Sequence, residues 1–399
     1  MSVTPPAAPT STHFNFYTPT EIEFGAGVLQ KLPGIIQRFA ARRVLVVGDP
    51  GLVKAGLVAR VTDLLDRHDI AYDTFTDLKS DPEVRSVRAG SALAREKGAD
   101  LVVAIGGGSA MDTAKGIGLM MRAPGRIEDY FGIDKILEAG SPVIAIPTTA
   151  GTGSEVTVWS VLHDTDADQK VVIGSPFICP RIALLDPELS LSLPGSITAA
   201  TGMDALTHAV ESYVNKLCHP FVEACAEKAI ALIGQNLRLA VAQGEHIEAR
   251  GNMLLASSLA GMAFNRVRLG LVHAFSLPLG NKYHIPHGMV NGIMLPAVMQ
   301  FNVPGNLPKY KRVAELLGES TVGLGLREAA MRSVRAVTQL KADIGLTDTL
   351  ADYGVSPDGF DAVIAEAMTS GNVAVNPRMP TLDDMKRMLA AGLAGDQAL

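Results

Sequence analysis

Cysteine is scarce. The 399-residue chain holds three, Cys179, Cys218 and Cys225, none in a CxxC arrangement, which argues against a disulfide framework and a thiolate metal site and fits a reducing compartment. No apolar run approaches the ~20 residues of a membrane span. The opening stretch, MSVTPPAAPTSTHF, has neither the basic n-region nor the apolar h-region of a secretion signal, so a cytoplasmic location is expected. Charge of one sign is nowhere concentrated. With 35 Lys and Arg scattered against 41 Asp and Glu, a formal net charge of -6 and a pI near 5.9, there is no electrostatic footprint for nucleic acid or an anionic membrane. Neither class of partner is expected, and small molecules are. Internal repeats and low-complexity segments are also missing.

What is present is a large apolar budget of residues, 47% hydrophobic with 39 glycines spread along the chain, typical of a well-packed globular protein. At ~150 residues per domain the length suggests two or three domains, of which two is the economical reading. Residues 1–13, rich in Pro, Thr, Ser and Ala, read as a flexible tail. From residue 42, short β-branched runs alternate with helical periodicity: RRVLVVGD, LVKAGLVARVTDLLDRH, IAYDTF, VRSVRAGSALAREKG, DLVVAIGGG, SAMDTAKGIGLMM, PVIAIPTT. Strands that read as continuous apolar runs imply parallel pairing covered on both faces, hence an open, doubly wound, mostly parallel α/β sheet over 14–194. Past DPELSLSLPGS the strand signal fades and helical patterns take over, at 203 to 217, 219 to 241, 246 to 263, 268 to 280 and beyond 306. An all-α second domain over 195–399 follows.

Three loops in the first half could hold a dinucleotide. AIGGGSAMDTAK (residues 104 to 115) puts glycines between a buried strand and a helix, where backbone N–H groups and the helix dipole favour a phosphate. A tight turn with Ser109 as N-cap is the alternative, and the stretch lacks the GxGxxG pattern. Asp49 ends the first strand of the alternation, where a carboxylate can accept from ribose hydroxyls and repel a 2′-phosphate, favouring NAD over NADP; it can equally be a turn residue before Pro-Gly. IPTTAGTGSE (146 to 155) carries more hydroxyls than a structural loop needs.

In the second half, TGMDALTHAVESYV sets Asp204 and His208 four apart on a helix that otherwise looks made for burial. That spacing brings the two side chains together. His273 in GLVHAFSLPLG and His287 in YHIPHGMVNGIMLP are each more ordinary as core or turn histidines. One carboxylate and three imidazoles nevertheless make an N3O set suited to a divalent cation such as Fe(II) or Zn(II); the spacing itself ties together only the first pair.

The segments GGGSAMDTAK, IPTTAGTGSEVT, TGMDALTHAVESYV, GLVHAFSLPLG and YHIPHGMVNGIMLP, with FGAGVLQKLP and DPELSLSLP as minor ones, resemble in order and spacing the signatures of the iron-containing (group III) alcohol dehydrogenases. The resemblance runs from about residue 14 to 390. It implies a dehydroquinate synthase-like architecture and metal ligands at Asp204, His208, His273 and His287. It further implies cofactor contacts at Asp49, Gly106, Gly107, Ser109, Asp112, Thr148 and Thr149, with Phe264 beside the substrate. Lys115 reads as a support for the loop, and His284 matches no ligand position. Relatives suggest a homodimer. Many carry a second histidine four residues after the third ligand, where this chain has Leu277, which should make the substrate pocket more apolar.

The implied activity is hydride transfer between a small primary alcohol, or its aldehyde, and NAD. A hydroxy acid such as 4-hydroxybutyrate is the second substrate class. A lyase resembling dehydroquinate synthase is the alternative chemistry, and it would need a basic pocket for which Arg266 and Arg268 are the nearest candidates. A nucleotide-binding sensor without metal is the third reading.

Overall fold

The computed structural model describes residues 13–79 and 81–395; most of the expected N-terminal tail lies outside the described residues. The described residues of the first half form nine strands: β1 (Glu21–Phe24), β2 (Arg43–Val47), β3 (Ala71–Phe75), β4 (Leu101–Gly106), β5 (Gly132–Ile133), β6 (Val143–Pro147), β7 (Trp159–Asp164), β8 (Gln169–Gly174) and β9 (Ile182–Leu185). Six form one sheet in the order β1-β9-β6-β4-β2-β3, and every pairing is parallel.

Alternate residues of the central strands feed two separate cores. Val44, Val46, Leu101 and Val103 face one way, against Leu32, Ile36, Val61 and Leu65 from α1 (Leu32–Arg38) and α3 (Leu57–Asp66). Leu45, Val47, Val102 and Ala104 face the other, against Ala94, Ala110, Met111 and Ile117 from α4 (Val84–Lys97) and α5 (Gly108–Met120). Two buried faces explain why these strands carry no polar alternation.

The chain runs outward from β2 to β3 and then crosses back to place β4 on the other side of β2. The topological switch therefore lies between β2 and β4, at whose carboxyl ends an open α/β sheet forms its ligand crevice. Asp49 follows β2 and the glycines follow β4, so both stand at that crevice.

Several local expectations change. LVKAGLVARVTDLLDRH is two helices, α2 (Pro50–Lys54) and α3, because Gly56 turns into the left-handed region at φ 73°. Ser109 is not the N-cap of α5; Gly107 holds that place, with no side-chain cap. Residues 159–174 form an antiparallel β7–β8 hairpin that, with β5, makes a second, three-stranded sheet.

After Leu185 no further strand occurs among the described residues, and the second half is helical: α6 (Gly195–Val214), α7 (Pro220–Ala242), α8 (Ile247–Phe264), α9 (Leu271–Tyr283), α10 (His287–Asn302), α11 (Leu307–Leu316), α12 (Leu326–Asp343), α13 (Phe360–Ala367), α14 (Gly371–Val375) and α15 (Leu382–Ala394). Helix α6 is buried along most of its length and begins eight residues before the pattern expected. None of the described helices is long and apolar enough to cross a membrane.

The two halves are stitched where the loop after β6 meets α8. Gly153, at φ +63°, packs so closely that a Cβ there would lie 2.8 Å from the Gly261 Cα and 2.9 Å from the Ser257 carbonyl oxygen. Asn265 closes the seam, accepting from the Val158 amide at 2.9 Å while its carbonyl accepts from the Trp159 indole at 3.1 Å. Gly153→Ala is expected to combine left-handed strain with overpacking, about 2 to 4 kcal/mol. Gly56→Ala, where the same backbone conformation faces open space, should lose only ~1 kcal/mol. Urea unfolding of the two variants measures the difference; equal losses would show that the seam is loose.

Candidate metal centre and dinucleotide crevice

Three helices deliver the four candidate ligands. Asp204 and His208 lie one turn apart on α6, with the Asp204 Oδ1 at 3.6 Å from the His208 Nε2. His273 is the third residue of α9 and His287 the first of α10. Their Nε2 atoms stand 3.9 and 3.5 Å from the same Asp204 oxygen, and all four ligand atoms lie within 4.8 Å of one another. Ligands at about 2.1 Å from a tetrahedral ion would be about 3.4 Å apart, so modest contraction completes the shell.

Close approach of α10 to α6 depends on Gly288. A Cβ there would sit 2.5 Å from the Ala200 carbonyl oxygen, and any side chain would push His287 away. Pro286, as N-cap, starts the helix one residue before the ligand, so the Pro-His-Gly sequence that reads as a turn is a helix start.

The protonation pattern suits a cation. The Nδ1 of His273 lies 2.7 Å from the Glu211 carboxylate, and that of His208 lies 3.2 Å from the Gly151 carbonyl oxygen. Both partners are acceptors, so each Nδ1 carries the proton and each Nε2 presents a lone pair to the cluster. The Asn291 amide already donates to the Asp204 Oδ1 at 2.6 Å and lies 3.2 and 3.1 Å from the Nε2 atoms of His273 and His287. Convergent lone pairs around one donor group are what a divalent ion requires, and the residues fit one. Burial pushes His208 down to about 4 against the pull of Asp204, so its imidazole is neutral at pH 7. Desolvation raises Asp204, but the three imidazoles and the Asn291 amide outweigh it and leave the carboxyl below its ordinary range. Phe264 covers the His208 ring, centroids 4.6 Å apart. Leu277, one turn beyond His273 on α9, is 40% exposed. His284 is exposed at the left-handed C-cap of α9.

At the crevice, Asp49 has both of the uses expected of it open to it. Its Oδ1 caps α2 by accepting from the Gly51 and Leu52 amides at 2.8 and 3.1 Å. Its Oδ2 lies toward Gly106, 3.8 Å from where a Cβ would be. Gly106 itself adopts φ +149°, and a Cβ at Gly107 would meet the Thr149 Oγ1 at 3.2 Å. The Thr148 amide donates to the Gly106 carbonyl at 3.0 Å, so the glycine turn and the threonine loop are one surface, on which Gly107, Ser109 and Thr149 are part-exposed. Asp112 looks inward instead: it accepts from the Ser154 hydroxyl at 2.6 Å and the Val161 amide at 2.9 Å. The buried Lys115 ammonium donates to the Ser154 hydroxyl and the Trp159 carbonyl at 2.6 Å each. These two hold the loop and the β7–β8 hairpin.

Glu211 and Asn291 escaped the sequence reading. Glu211 is three residues after His208 on the same face, and Asn291 is four after His287, so the helix spacing that singled out Asp204 and His208 also marked them.

A doubly wound sheet with a loop-lined switch point, set against a helical half that gathers an Asp and three His, defines a two-domain oxidoreductase-like architecture. Comparison with known proteins agrees in detail. The profile of the iron-containing alcohol dehydrogenases matches residues 19–187, and that of the C-terminal region of the Fe-containing alcohol dehydrogenase family matches 198–393. The chain is 40% identical over 367 residues to a 1,3-propanediol dehydrogenase of Klebsiella pneumoniae, covering 92% of this chain and 95% of the relative. Among solved structures, a 1,3-propanediol oxidoreductase superposes with a TM-score of 0.93 at 38% identity, over 95% of this chain and all of the other. A sulfoacetaldehyde reductase from Bifidobacterium kashiwanohense in complex with NAD+ does so at 0.87 and 32%, over 96% and 99%. The chain belongs to the iron-containing alcohol dehydrogenase family.

Asp204→Asn and His208→Ala are expected to reduce bound divalent metal to under a tenth of wild type without loss of helix content, read by elemental analysis and circular dichroism. With the metal stripped, His208 should make stability rise with pH between about 4 and 6.5, because the unfolded chain binds the proton that the buried imidazole rejects. The His208 share is on the order of 3 kcal/mol; His208→Gln should remove that share and leave only the part due to His287, whose imidazole is likewise pushed down to about 4 by burial, as measured by urea midpoints across that range.

Proposed function

We propose that this chain oxidises a small primary alcohol with NAD, or reduces the corresponding aldehyde with NADH, at the cleft between residues 14–194 and 195–399. The observation that carries the reading is the convergence of Asp204, His208, His273 and His287 on one point in the half facing the sheet's switch point. The relatives named above act, by their names, on short oxygenated substrates.

In this reading Gly106, Gly107 and Ser109 at the start of α5 take the pyrophosphate, Asp49 accepts from ribose hydroxyls through its Oδ2, and Thr148 and Thr149 line the approach to the nicotinamide. A divalent ion held by the four ligands supplies Lewis acidity to the alcohol or carbonyl oxygen, and NAD supplies the hydride acceptor. Asp204 contributes the one negative charge of the set, so the neutral imidazoles leave the filled site net positive. Phe264 and Leu277 form apolar walls that exclude water and favour short uncharged alcohols over hydroxy acids. A homodimer, a cytoplasmic location and a domain division at 194/195 belong to the same reading.

The decisive experiment strips the protein of metal, reloads it with Fe(II) or Zn(II), and assays NAD reduction with a panel of alcohols, diols and hydroxy acids. NADH formation with C2 to C4 alcohols or diols is expected only after reloading; metal-independent turnover, or none with any alcohol, overturns the proposal. Leu277→His should shift the pH dependence of turnover while metal content stays unchanged. An unaltered pH profile would remove position 277 from any part in proton movement. Sedimentation analysis reads the oligomeric state.

A further inference from the structure

Glu211 is buried, at 4% exposure, and each of its oxygens is engaged. Oε2 accepts from the Gly270 amide at 2.9 Å and from the His273 Nδ1 at 2.7 Å; Oε1 accepts from the Val272 amide at 2.7 Å. Gly270, Leu271 and Val272 open α9, whose N-cap has no side-chain bond of its own. Two of the amides left without a partner at this helix start are thus satisfied from α6, and the third, that of Leu271, donates to the Asn376 Oδ1 at 3.3 Å. A carboxylate at a helix N-terminus is favoured by the dipole, and this one also reaches the imidazole two residues further along.

We propose that Glu211 is a positioning residue for the metal centre: it locks His273 as the Nδ1–H tautomer and aims its Nε2 at the cluster. The inference rests on the four-ligand reading of the site. Glu211 shares helix α6 with Asp204 and His208, so one helix carries two ligands and also the group that orients a third. Gly270 is needed for the arrangement, since a Cβ there would sit 2.7 Å from the Glu211 Oε1 and 3.0 Å from the Asn376 Oδ1.

Glu211→Gln keeps the shape and removes the charge. Its single carbonyl oxygen cannot serve both oxygen positions, so its NH2 faces either the Val272 amide or the Gly270 amide and His273. The control is Asn376→Ala, which uncaps the same helix end without touching the histidine; should it fail to fold, Asn372→Ala, which removes the acceptor of the Leu269 amide, replaces it. Zn(II) affinity of each full-length variant is measured by chelator competition, and the d–d spectrum is recorded after loading with Co(II). Glu211→Gln is expected to bind Zn(II) about 10- to 100-fold more weakly with a shifted Co(II) spectrum, while the control stays within about 2-fold of wild type with an unshifted one. Equal affinity of wild type and Glu211→Gln, or an equal loss in the control, overturns the proposal. Failure of wild-type protein to bind Zn(II) or Co(II) at all overturns the four-ligand reading instead.

Discussion

Four polar side chains have to meet at one point inside a helical bundle that is otherwise apolar, and much of the second half is arranged to let them. Asp204, His208 and His273 are almost wholly enclosed while His287 closes the cluster from the exposed side, and a carboxylate and two imidazoles cannot be buried there unpaired without a large desolvation cost. The bundle meets that constraint by close helix contacts at small residues. Gly288 brings α10 against the Ala200 carbonyl, and Gly202 lets α6 receive the Leu237 side chain, its would-be Cβ only 2.3 Å from that methyl carbon. The polar neighbours are then satisfied in turn: Asn291 also accepts from the Ser276 hydroxyl on α9. The convergent oxygen and imidazole nitrogens are the donor set that a divalent cation would take.

The loop after β6 links this centre to the sheet. On one side Thr149 packs against Gly107, and on the other Gly153 packs against Gly261. Between them the Gly151 carbonyl holds the His208 ring nitrogen. The loop that carries Thr149 therefore also fixes, through the Gly151 carbonyl, the tautomer of a candidate ligand. Lys115 and Asp112 serve the same end from below, because their shared partner Ser154 belongs to the loop. The hydroxyls of IPTTAGTGSE have a split explanation: Thr149 is part-exposed beside Gly107, whereas the Thr152 hydroxyl accepts from the Ser154 amide and the Ser154 hydroxyl accepts from the buried Lys115 ammonium.

Sequence patterning exposed the parts of the structure whose local signal is strong. Strands β2, β4 and β6 are fully or almost fully buried, and their unbroken Val, Ile and Ala runs said so. The β7–β8 hairpin was hidden because its half-exposed strands, WSVLHD and QKVVIG, mix polar and apolar residues in short stretches separated by charged turn residues. Helix α6 begins early because Ser196, Thr198 and Ala199 hold a helix without bulky periodic positions. Helix α10 was obscured by Pro286, Gly288 and Pro296, each of which reads as a breaker; here the first is the cap, the second a contact, and the third is accommodated within the helix. At the site, only Asp204 and His208 could be paired by spacing. That His273 and His287 join them depends on how α9 and α10 dock, which no local period encodes.

Asp49 shows why the two readings of one residue need not compete. The cap uses Oδ1 for two amides, and capping fixes the carboxylate plane and so the direction of Oδ2. A turn residue constrained in this way carries a preset acceptor at the carboxyl end of β2, across the switch from Gly106. Its orientation is set by the fold, so a ribose hydroxyl meeting it would not have to order a mobile side chain, and the entropy cost of that contact falls. The same rigidity would keep the charge from swinging away from a 2′-phosphate placed there. Selectivity between the two nicotinamide dinucleotides would then follow from the α2 cap itself, with no dedicated specificity residue required.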